Sequence, residues 1–323
     1  MFPDSVPRLI FGAASFGDAF REPENVQSIL ELLKSHDIKY LDTAGRYPPT
    51  NPGRSEELIG LVKAAQQGFT IDTKILAGTG DGSGELAREN IEKSVSTSLK
   101  RLGIEKIHVL HIHRPDPQTP LEEQAAGLNA MHKQGKFTAL GVSNFFPQTL
   151  RDFLAVCDKN GFIKPTVYQG DYSMINRGME KHLLPILREH GIVFNAFRSL
   201  ASGFLSGSVT SGAIEGTRFG GDGRVSQYMN KIYSNEPLHN AQKKLAESTK
   251  EIGISPIEAA LRWAMYHSAL QKGDGIILGA SKEAQIVNNL KSIAKGPLPE
   301  SIVTAIEDIW TELKADKEEN YIY

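Results

Sequence analysis

The chain has 323 residues, 40% of them hydrophobic, which is enough for a large core. Its 36 lysines and arginines nearly balance its 38 aspartates and glutamates, so nothing indicates a nucleic-acid or membrane-surface partner. A single cysteine excludes an intrachain disulfide, and no apolar run approaches the ~20 residues of a membrane span. Because the first residues lack a basic segment followed by a long apolar one, we expect no signal peptide and a cytoplasmic protein.

Strand and helix patterns alternate along the first half of the chain. Apolar runs predict strands at 8–13, 38–41, 69–76, 106–113 and 137–142. Apolar residues at helical spacing predict helices at 24–35, 55–65, 85–102, 120–135 and 147–157. Ser55 is the predicted N-cap of the second helix, Gly103 is the predicted C-cap of the third, and Cys157 is expected to be buried in the fifth. The glycines of 78–84 match no complete dinucleotide-binding motif, which favours a flexible loop.

The second half continues the alternation after one interruption. Strands are predicted at 166–169, 192–197 and 276–278. Helices are predicted at 178–190, 238–253, 255–267, 282–293 and 299–314. Between them, residues 201–237 are predicted to be one long, glycine-rich connection, and connections of this length often act as lids.

Eight strand-and-helix repeats without a linker predict a single-domain (β/α)8 TIM barrel that spans residues 1–323. Several strands are continuous apolar runs, as expected for parallel strands covered by helices. Active sites of this fold lie at the carboxyl ends of the strands. The residues that fall at such ends are Asp42, Lys74, His113, Ser143, Asn144, Gln169 and Phe197.

Four of the residues at or just after strand ends predict a proton-donor site. Tyr47 follows Asp42 by five residues, on the next loop. A phenol is a poor acid at neutral pH, and a neighbouring cation favours its phenolate. Lys74 is the candidate cation, Asp42 its counter-ion, and His113 a neutral donor that orients a carbonyl group. His111 shares the strand face of His113 one layer deeper, and we expect a core histidine with satisfied hydrogen bonds.

Several motifs occur together in a fixed order: LDTAGRY at 41–47, HIHRPD at 111–116, GVSNF at 141–145, VYQ at 167–169 and AFRSLASGFLSG at 196–207. Through them the chain resembles the aldo-keto reductases from Leu9 to near its carboxyl terminus. Its second half is similar to the aflatoxin-aldehyde and succinic-semialdehyde reductase branch of that superfamily. This narrower resemblance is carried by RFGGDGRVSQY at 218–228, ALRWAMYHSAL at 260–270, IILGASKEAQIVNNL at 276–290 and NYIY at 320–323.

The resemblance implies NADPH-dependent reduction of a small-molecule carbonyl compound without a metal ion. It makes Tyr47 the general acid, tuned by Asp42 and Lys74. It makes His113, Tyr228 and Tyr323 substrate contacts. The branch tends to form dimers, so the resemblance is compatible with a homodimer.

The resemblance also implies a cofactor site that includes Asp42. Ser143, Asn144 and Gln169 would hold the nicotinamide carboxamide, and Phe197 would take a stacking position where the family usually has tyrosine. The remaining implied contacts, from pyrophosphate to adenine, are Arg198, Ser199, Leu200, Ser202, Gly203, Leu205, Ser208, Arg218, Gly279, Ser281, Lys282, Gln285, Asn288 and Asn289.

Two of these cofactor positions depart from the family pattern. At Arg198 the family mostly has serine or asparagine, which leaves open whether the guanidinium meets the cofactor phosphates or a nearby carboxylate. At Gln285 the family often has arginine. A preference for NADPH over NADH would then depend on Arg218 and Lys282, whose cationic groups pair well with a 2′-phosphate.

Two other functions remain as alternatives. One is a redox-sensing module that binds the cofactor and turns over little, like the potassium-channel subunits of this superfamily. The other is a barrel lyase in which Lys74 forms a Schiff base. For a reductase, Phe16, Tyr47 and Tyr228 with Tyr321 and Tyr323 indicate an aromatic mouth suited to aromatic or dicarbonyl aldehydes. Succinic semialdehyde is disfavoured because the chain closes on Tyr323, whereas the branch places a carboxylate-binding arginine at that end.

Overall fold

A computed structural model describes residues 5–76 and 84–317. Its eight strands are β1 Arg8–Gly12, β2 Tyr40–Asp42, β3 Thr70–Lys74, β4 Ile107–Ile112, β5 Phe137–Ser143, β6 Pro165–Asp171, β7 Val193–Phe197 and β8 Gly275–Gly279. Each strand pairs in parallel with the next, and β8 pairs with β1. The described residues therefore form a closed (β/α)8 barrel, which confirms the predicted fold class.

Helices follow the strands around the outside of the barrel. They are α1 Pro23–Ser35, α2 Arg54–Leu61, α3 Arg88–Leu102, α4 Leu121–Lys133, α5 Pro147–Asn160, α6 Met179–His182, α7 Leu184–Glu189, α8 Arg224–Tyr233, α9 Glu236–Glu251, α10 Pro256–Tyr266, α11 Glu283–Ile293 and α12 Glu300–Lys317. None of the helices in the described ranges is long and apolar enough to cross a membrane.

The apolar face of each helix packs against the apolar strands beneath it. In α1, for example, Val26, Ile29, Leu30 and Leu33 have no exposed surface, and they follow the 3.6-residue period that predicts the helix. Gly103 ends α3 with a φ of 64°, the left-handed conformation expected of its C-cap. Cys157 is buried in α5 as predicted, and burial raises the pKa of its thiol to about 12.

Ser55 is not the N-cap of α2, so that prediction is wrong. The helix begins one residue earlier, after Gly53, whose φ of 91° suits glycine. Ser55 is buried inside the first turn, where its Oγ donates to the carbonyl oxygen of Ala13 at 2.8 Å and lies 2.8 Å from Oγ1 of Thr43. Through these two contacts the hydroxyl stabilises the loop that follows Asp42.

The segment 201–237 is not one irregular connection. It contains a 3₁₀ helix, Ala201–Ser206, and the helix α8. Tyr233 of α8 is buried and stacks on Phe204 with ring centroids 5.2 Å apart. The glycines that precede α8 are typical of a loop, and the sequence pattern does not show the packing of Tyr233 on Phe204. Similarly, the single helix predicted at 178–190 is divided at Leu183, because Pro185 lies at the start of α7.

Candidate active site

The carboxyl ends of β2, β3 and β6 bring together a buried hydrogen-bonded group. The ammonium of Lys74 donates to both carboxylate oxygens of Asp42, at 2.8 and 2.7 Å, and to the carbonyl oxygen of Thr43 at 2.8 Å. Gln169 Nε2 donates to Oδ1 of Asp42 at 2.8 Å. The side chain of Lys74 is only 1% exposed, so this pair lies in a low-dielectric environment.

The environment keeps Lys74 charged. Burial opposes the ammonium form, but the negative charge of Asp42, together with Tyr47, outweighs burial, and the pKa of Lys74 is raised. An amine held as an ammonium is a poor nucleophile, which argues against the Schiff-base lyase.

Tyr47 and His113 lie beside this pair. Lys74 Nζ is 5.1 Å from the centroid of the Tyr47 ring. The Tyr47 and His113 rings have centroids 5.7 Å apart and meet edge to face, with an interplanar angle of 87°. Both side chains are half-buried, whereas Lys74 is enclosed beneath them. A phenol, an ammonium, a carboxylate and an imidazole therefore share one corner of the barrel mouth.

His113 is neutral at physiological pH. Desolvation is the largest cause, and the positive charges of Lys74, Arg114 and Arg46 add to it, so the pKa of His113 is well below its usual value. A neutral imidazole carries one N–H and can donate a hydrogen bond to a carbonyl oxygen without transferring charge.

His111 is a core histidine, as predicted, but its hydrogen bonds are not satisfied. The side chain has no exposed surface, and neither ring nitrogen has a hydrogen-bond partner among residues 5–76 and 84–317. Burial, followed by the charge of Lys74, places the pKa of His111 well below its usual value. The ring lies over Gly141, where a Cβ would be 2.2 Å from Nδ1 of His111, so the absence of a side chain at Gly141 makes room for it.

Polar side chains next to this corner fit the carboxamide of a nicotinamide. Asn144 has a φ of 60°, and its Nδ2 donates to the carbonyl oxygen of His113 at 2.8 Å and to Ser143 Oγ at 3.1 Å. Gln169 uses its Nε2 on Asp42, which leaves Oε1 to accept a hydrogen bond. The Oγ of Ser199 is buried without a hydrogen-bond partner in the described part of the chain. These donors and acceptors fit a dinucleotide that crosses the mouth.

Arg198 forms an ion pair with a nearby carboxylate, which is one of the two alternatives that the sequence leaves open. Its Nη1 donates to Oδ2 of Asp171 at 2.8 Å. The guanidinium carbon is 5.3 Å from the centroid of the Phe197 ring and 5.9 Å from that of the Tyr228 ring. Arg198 thus joins the ends of β6 and β7 to helix α8, and it contacts both the predicted stacking ring and a predicted substrate residue.

Arg218 and Gln285 are two further candidate cofactor contacts. Desolvation and the charge of Arg198 lower the pKa of Arg218, and the charges of Tyr47 and Asp18 act in the opposite direction. Gln285 Oε1 accepts from the backbone amides of Ser281 and Lys282, at 2.9 and 3.2 Å, and so closes the turn before α11.

One prediction about the mouth is wrong, and another falls on residues that the structure does not describe. Phe16 does not line it, because the ring has no exposed surface and packs against Phe11 with centroids 5.6 Å apart. Tyr323, a predicted substrate residue, lies outside the described residues, as does Tyr321. The glycine-rich segment 78–84 is also outside them apart from Gly84.

Sequence reasoning missed Asp171 and Thr43. Asp171 lies two residues after Gln169 on β6, so the strand period that orients Gln169 indicates the same face for it. Thr43 contributes a backbone oxygen, and a backbone contact carries no signal in residue type.

Comparisons with known proteins agree with this geometry. The family model described as "Aldo/keto reductase family" matches residues 8–311. An aldo-keto reductase of Pseudocercospora fijiensis is 34% identical over 89% of this chain and 98% of its own length. Oxidoreductase sirO of Leptosphaeria maculans is 33% identical over 97% of this chain and 96% of its own length. Aflatoxin B1 aldehyde reductase member 2 of Homo sapiens is 32% identical over 94% of this chain and 87% of its own length. The chain therefore belongs to the aldo/keto reductase family and is an oxidoreductase of carbonyl compounds.

Proposed function

We propose that this protein is an NADPH-dependent reductase that converts aldehydes and ketones to alcohols, with Tyr47 as the proton donor. The observation that carries the proposal is the buried Asp42–Lys74 ion pair against the Tyr47 ring. An ammonium in a water-poor site stabilises negative charge on a nearby phenol more strongly than it does in bulk water.

The roles of the side chains follow from their charges. His113, as a neutral donor, holds the substrate oxygen next to Tyr47. Tyr47 then gives its proton to that oxygen, and Lys74 stabilises the phenolate that remains. Asp42 holds Lys74 in place and keeps it protonated. When bound, NADPH supplies the hydride that the carbonyl carbon receives, so one hydride and one proton convert C=O to CH–OH.

The cofactor would be held by residues along the mouth. Ser143, Asn144 and Gln169 would bind the carboxamide, and the Phe197 ring would support the nicotinamide from one side. Arg218 and Lys282 would pair with the 2′-phosphate that distinguishes NADPH from NADH. Lys282 is exposed immediately before α11 and is available for such a contact.

The substrate class that we propose is aromatic and dicarbonyl aldehydes. Phe146 follows the end of β5 and is 56% exposed, and Tyr228 of α8 is 47% exposed. Exposed aromatic rings beside a site favour apolar, flat substrates. The name of the human relative, an aldehyde reductase, supports aldehydes as substrates.

The experiment is a titration with NADPH and NADH together with a panel of kcat/KM values. The panel contains nitrobenzaldehydes, phenanthrenequinone and succinic semialdehyde. The proposal predicts tighter binding of NADPH than of NADH, and faster reduction of the first two substrate types. Tight NADPH binding without turnover on any substrate would instead support the redox-sensing module. A clear preference for succinic semialdehyde would overturn the proposed substrate class.

A matched pair of variants tests the 2′-phosphate contact. Lys282→Gln should weaken NADPH binding and leave NADH binding unchanged. Lys291→Gln is the control, because Lys291 is also exposed and lies on α11, the helix that follows Lys282. Equal effects of Lys282→Gln on both cofactors would contradict the assignment of Lys282.

A further inference from the structure

A second buried carboxylate lies beneath the Asp42–Lys74 pair and has no role in the steps above. Asp72 of β3 is 3% exposed. It is the register partner of Asp42 on β2, and it precedes Lys74 by two residues. Because strand residues two apart share a face, Asp72 lies on the same side of the sheet as Lys74, one layer deeper in the barrel.

Two hydrogen bonds hold the Asp72 carboxylate. Its Oδ1 accepts from the backbone amide of Val109 at 3.1 Å and lies 2.7 Å from Nδ1 of His108. The pairing of β3 with β4 begins at Thr73 and Leu110. The carboxylate therefore accepts a hydrogen bond from the Val109 amide just before the first paired residues of the two strands. By itself this arrangement is a structural cap of β4.

The charges connect this cap to the catalytic corner. Burial raises the pKa of Asp72, while the hydrogen bond and charge of His108 oppose that rise, and Asp42 adds to it. In turn, the negative charge of Asp72 contributes to raising the pKa of Lys74. Two carboxylates on neighbouring strands therefore act on one ammonium.

His108 links Asp72 to the opposite end of the barrel. Its side chain is 38% exposed and lines a surface cavity of about 280 Å³ at the amino-terminal ends of β3, β4 and β5. Lys106 and Thr138 line the same cavity. The carboxylate beneath the catalytic pair is thus bonded to a side chain that solvent reaches far from the site where substrate binds.

Among the described residues, other charged or titratable groups near Asp72 lie on or next to β1, β2 and β4. Arg8 of β1 lowers the pKa of Asp72 and lies over the ring of Tyr40 at 4.8 Å. Tyr40 in turn lies near His108, with ring centroids 6.1 Å apart. On β4, His111 is buried and neutral, and Lys106 faces the cavity. Asp72 itself, one layer below Lys74, contributes to raising the pKa of Lys74.

We propose that Asp72 and His108 are positioning residues of the reductase: together they hold a second negative charge beneath Lys74 and thereby set the pH range in which the proton donor stays protonated. The inference rests on the proposed function. His108 favours the ionised form of Asp72 through its hydrogen bond, and ionised Asp72 offsets part of the positive charge that Lys74 presents to Tyr47. Removing either residue makes the corner more positive and favours loss of the transferable proton.

The test is the alkaline limb of kcat/KM against pH, measured with 4-nitrobenzaldehyde at saturating NADPH. Asp72→Asn keeps an acceptor for the Val109 amide and removes the charge. We expect its alkaline limb to move to lower pH by up to about one unit, because a charge in direct contact shifts a pKa by about 1–3 units and Asp72 lies one layer below Lys74. His108→Asn should move the limb in the same direction by a smaller amount. The double variant should match Asp72→Asn, because His108 acts through Asp72.

Two controls separate this role from a structural one. Thr138→Val changes a side chain of the same cavity without altering charge, and its limb should coincide with that of the unmodified protein. Thermal unfolding of each variant records any loss of stability. Limbs for Asp72→Asn and His108→Asn that coincide with the unmodified protein, with only stability reduced, would overturn the inference. Failure of the unmodified protein to reduce any aldehyde would instead overturn the proposed function.

Discussion

Arg198 and Asp171 form an ion pair between the ends of β7 and β6, with Nη1 of Arg198 2.8 Å from Oδ2 of Asp171 and no exposed surface on the carboxylate. Asn176 Nδ2 donates to the other oxygen, Oδ1, at 3.0 Å. The guanidinium also covers the rings of Phe197 and Tyr228. One buried carboxylate thereby fixes the residue that joins the candidate cofactor and substrate surfaces.

Breaking this pair should destabilise the protein. Asp171→Asn leaves the Arg198 guanidinium without its counter-ion, and we expect the free energy of unfolding in urea to fall by about 2–4 kcal/mol. The double variant Asp171→Asn with Arg198→Gln should be less destabilised than the sum of the two single variants. Lys244→Gln is the control, because its pair with Glu312 is exposed and should be worth at most about 1 kcal/mol. Additive single effects would contradict the coupling.

Removing the ammonium should slow reduction without preventing cofactor binding. For Lys74→Met we expect kcat/KM to fall by about 10²–10⁴, because the phenolate loses its stabilising charge. The dissociation constant for NADPH, from fluorescence titration, should change by less than about threefold, a factor worth under 1 kcal/mol. Since Lys74→Met alone leaves Asp42 buried and unpaired, the double variant with Asp42→Asn serves as a second protein that removes both charges. Activity close to normal in either protein would refute the role of Lys74.

His111 should make stability depend on pH. Its pKa is lowered in the folded protein, so below the unfolded value of about 6.5 the unfolded chain binds a proton that the folded protein does not. The free energy of unfolding therefore falls as the pH falls, and by pH 5.5 this one group should contribute a loss of about 1.4 kcal/mol. His111→Met should lose less stability than the unmodified protein between pH 7.5 and 5.5, by that amount. His36→Gln, at an exposed histidine, is the control for the loss of one histidine. Identical pH dependence in His111→Met would show that the histidine titrates freely.

Gly141 should tolerate no side chain while His111 is present. A Cβ at this position would lie 2.2 Å from Nδ1 of His111, so Gly141→Ala should lower the free energy of unfolding by about 1–3 kcal/mol. Gly223 is the control, because no heavy atom lies within 4 Å of its Cβ position and its φ is −71°. An effect at Gly141 no larger than that at Gly223 would mean that the ring moves aside.

Strand periodicity was the most informative feature of the sequence. The barrel and the approach of Lys74 to Asp42 follow from apolar runs that end in polar residues, because the fold brings strand ends together. The helix α8 could not be predicted from its surroundings, since its stability comes from Tyr233 packing on Phe204, which is distant in sequence. Phe16 was misplaced for a different reason: its ring turns back onto Phe11 of the preceding strand, and residue type does not show this direction.

The candidate cofactor residues were less accessible to prediction than the corner around Asp42 and Lys74. The ion pair of Arg198 depends on a partner 27 residues away, and it needs the register that aligns Asp171 with Phe197. The Gln285 side chain accepts hydrogen bonds from the backbone amides of Ser281 and Lys282 and so closes the turn before α11. Residue type alone does not distinguish such arrangements.

The most direct measurement compares Tyr47→Phe with the unmodified protein in two quantities: kcat for reduction of 4-nitrobenzaldehyde, and the dissociation constant for NADPH. If Tyr47 is the proton donor, kcat should fall by at least about 10²–10⁴, because the phenyl ring keeps its packing against His113 but has no proton to give. NADPH binding should stay nearly unchanged. Equal kcat values for the two proteins would contradict the assignment of Tyr47.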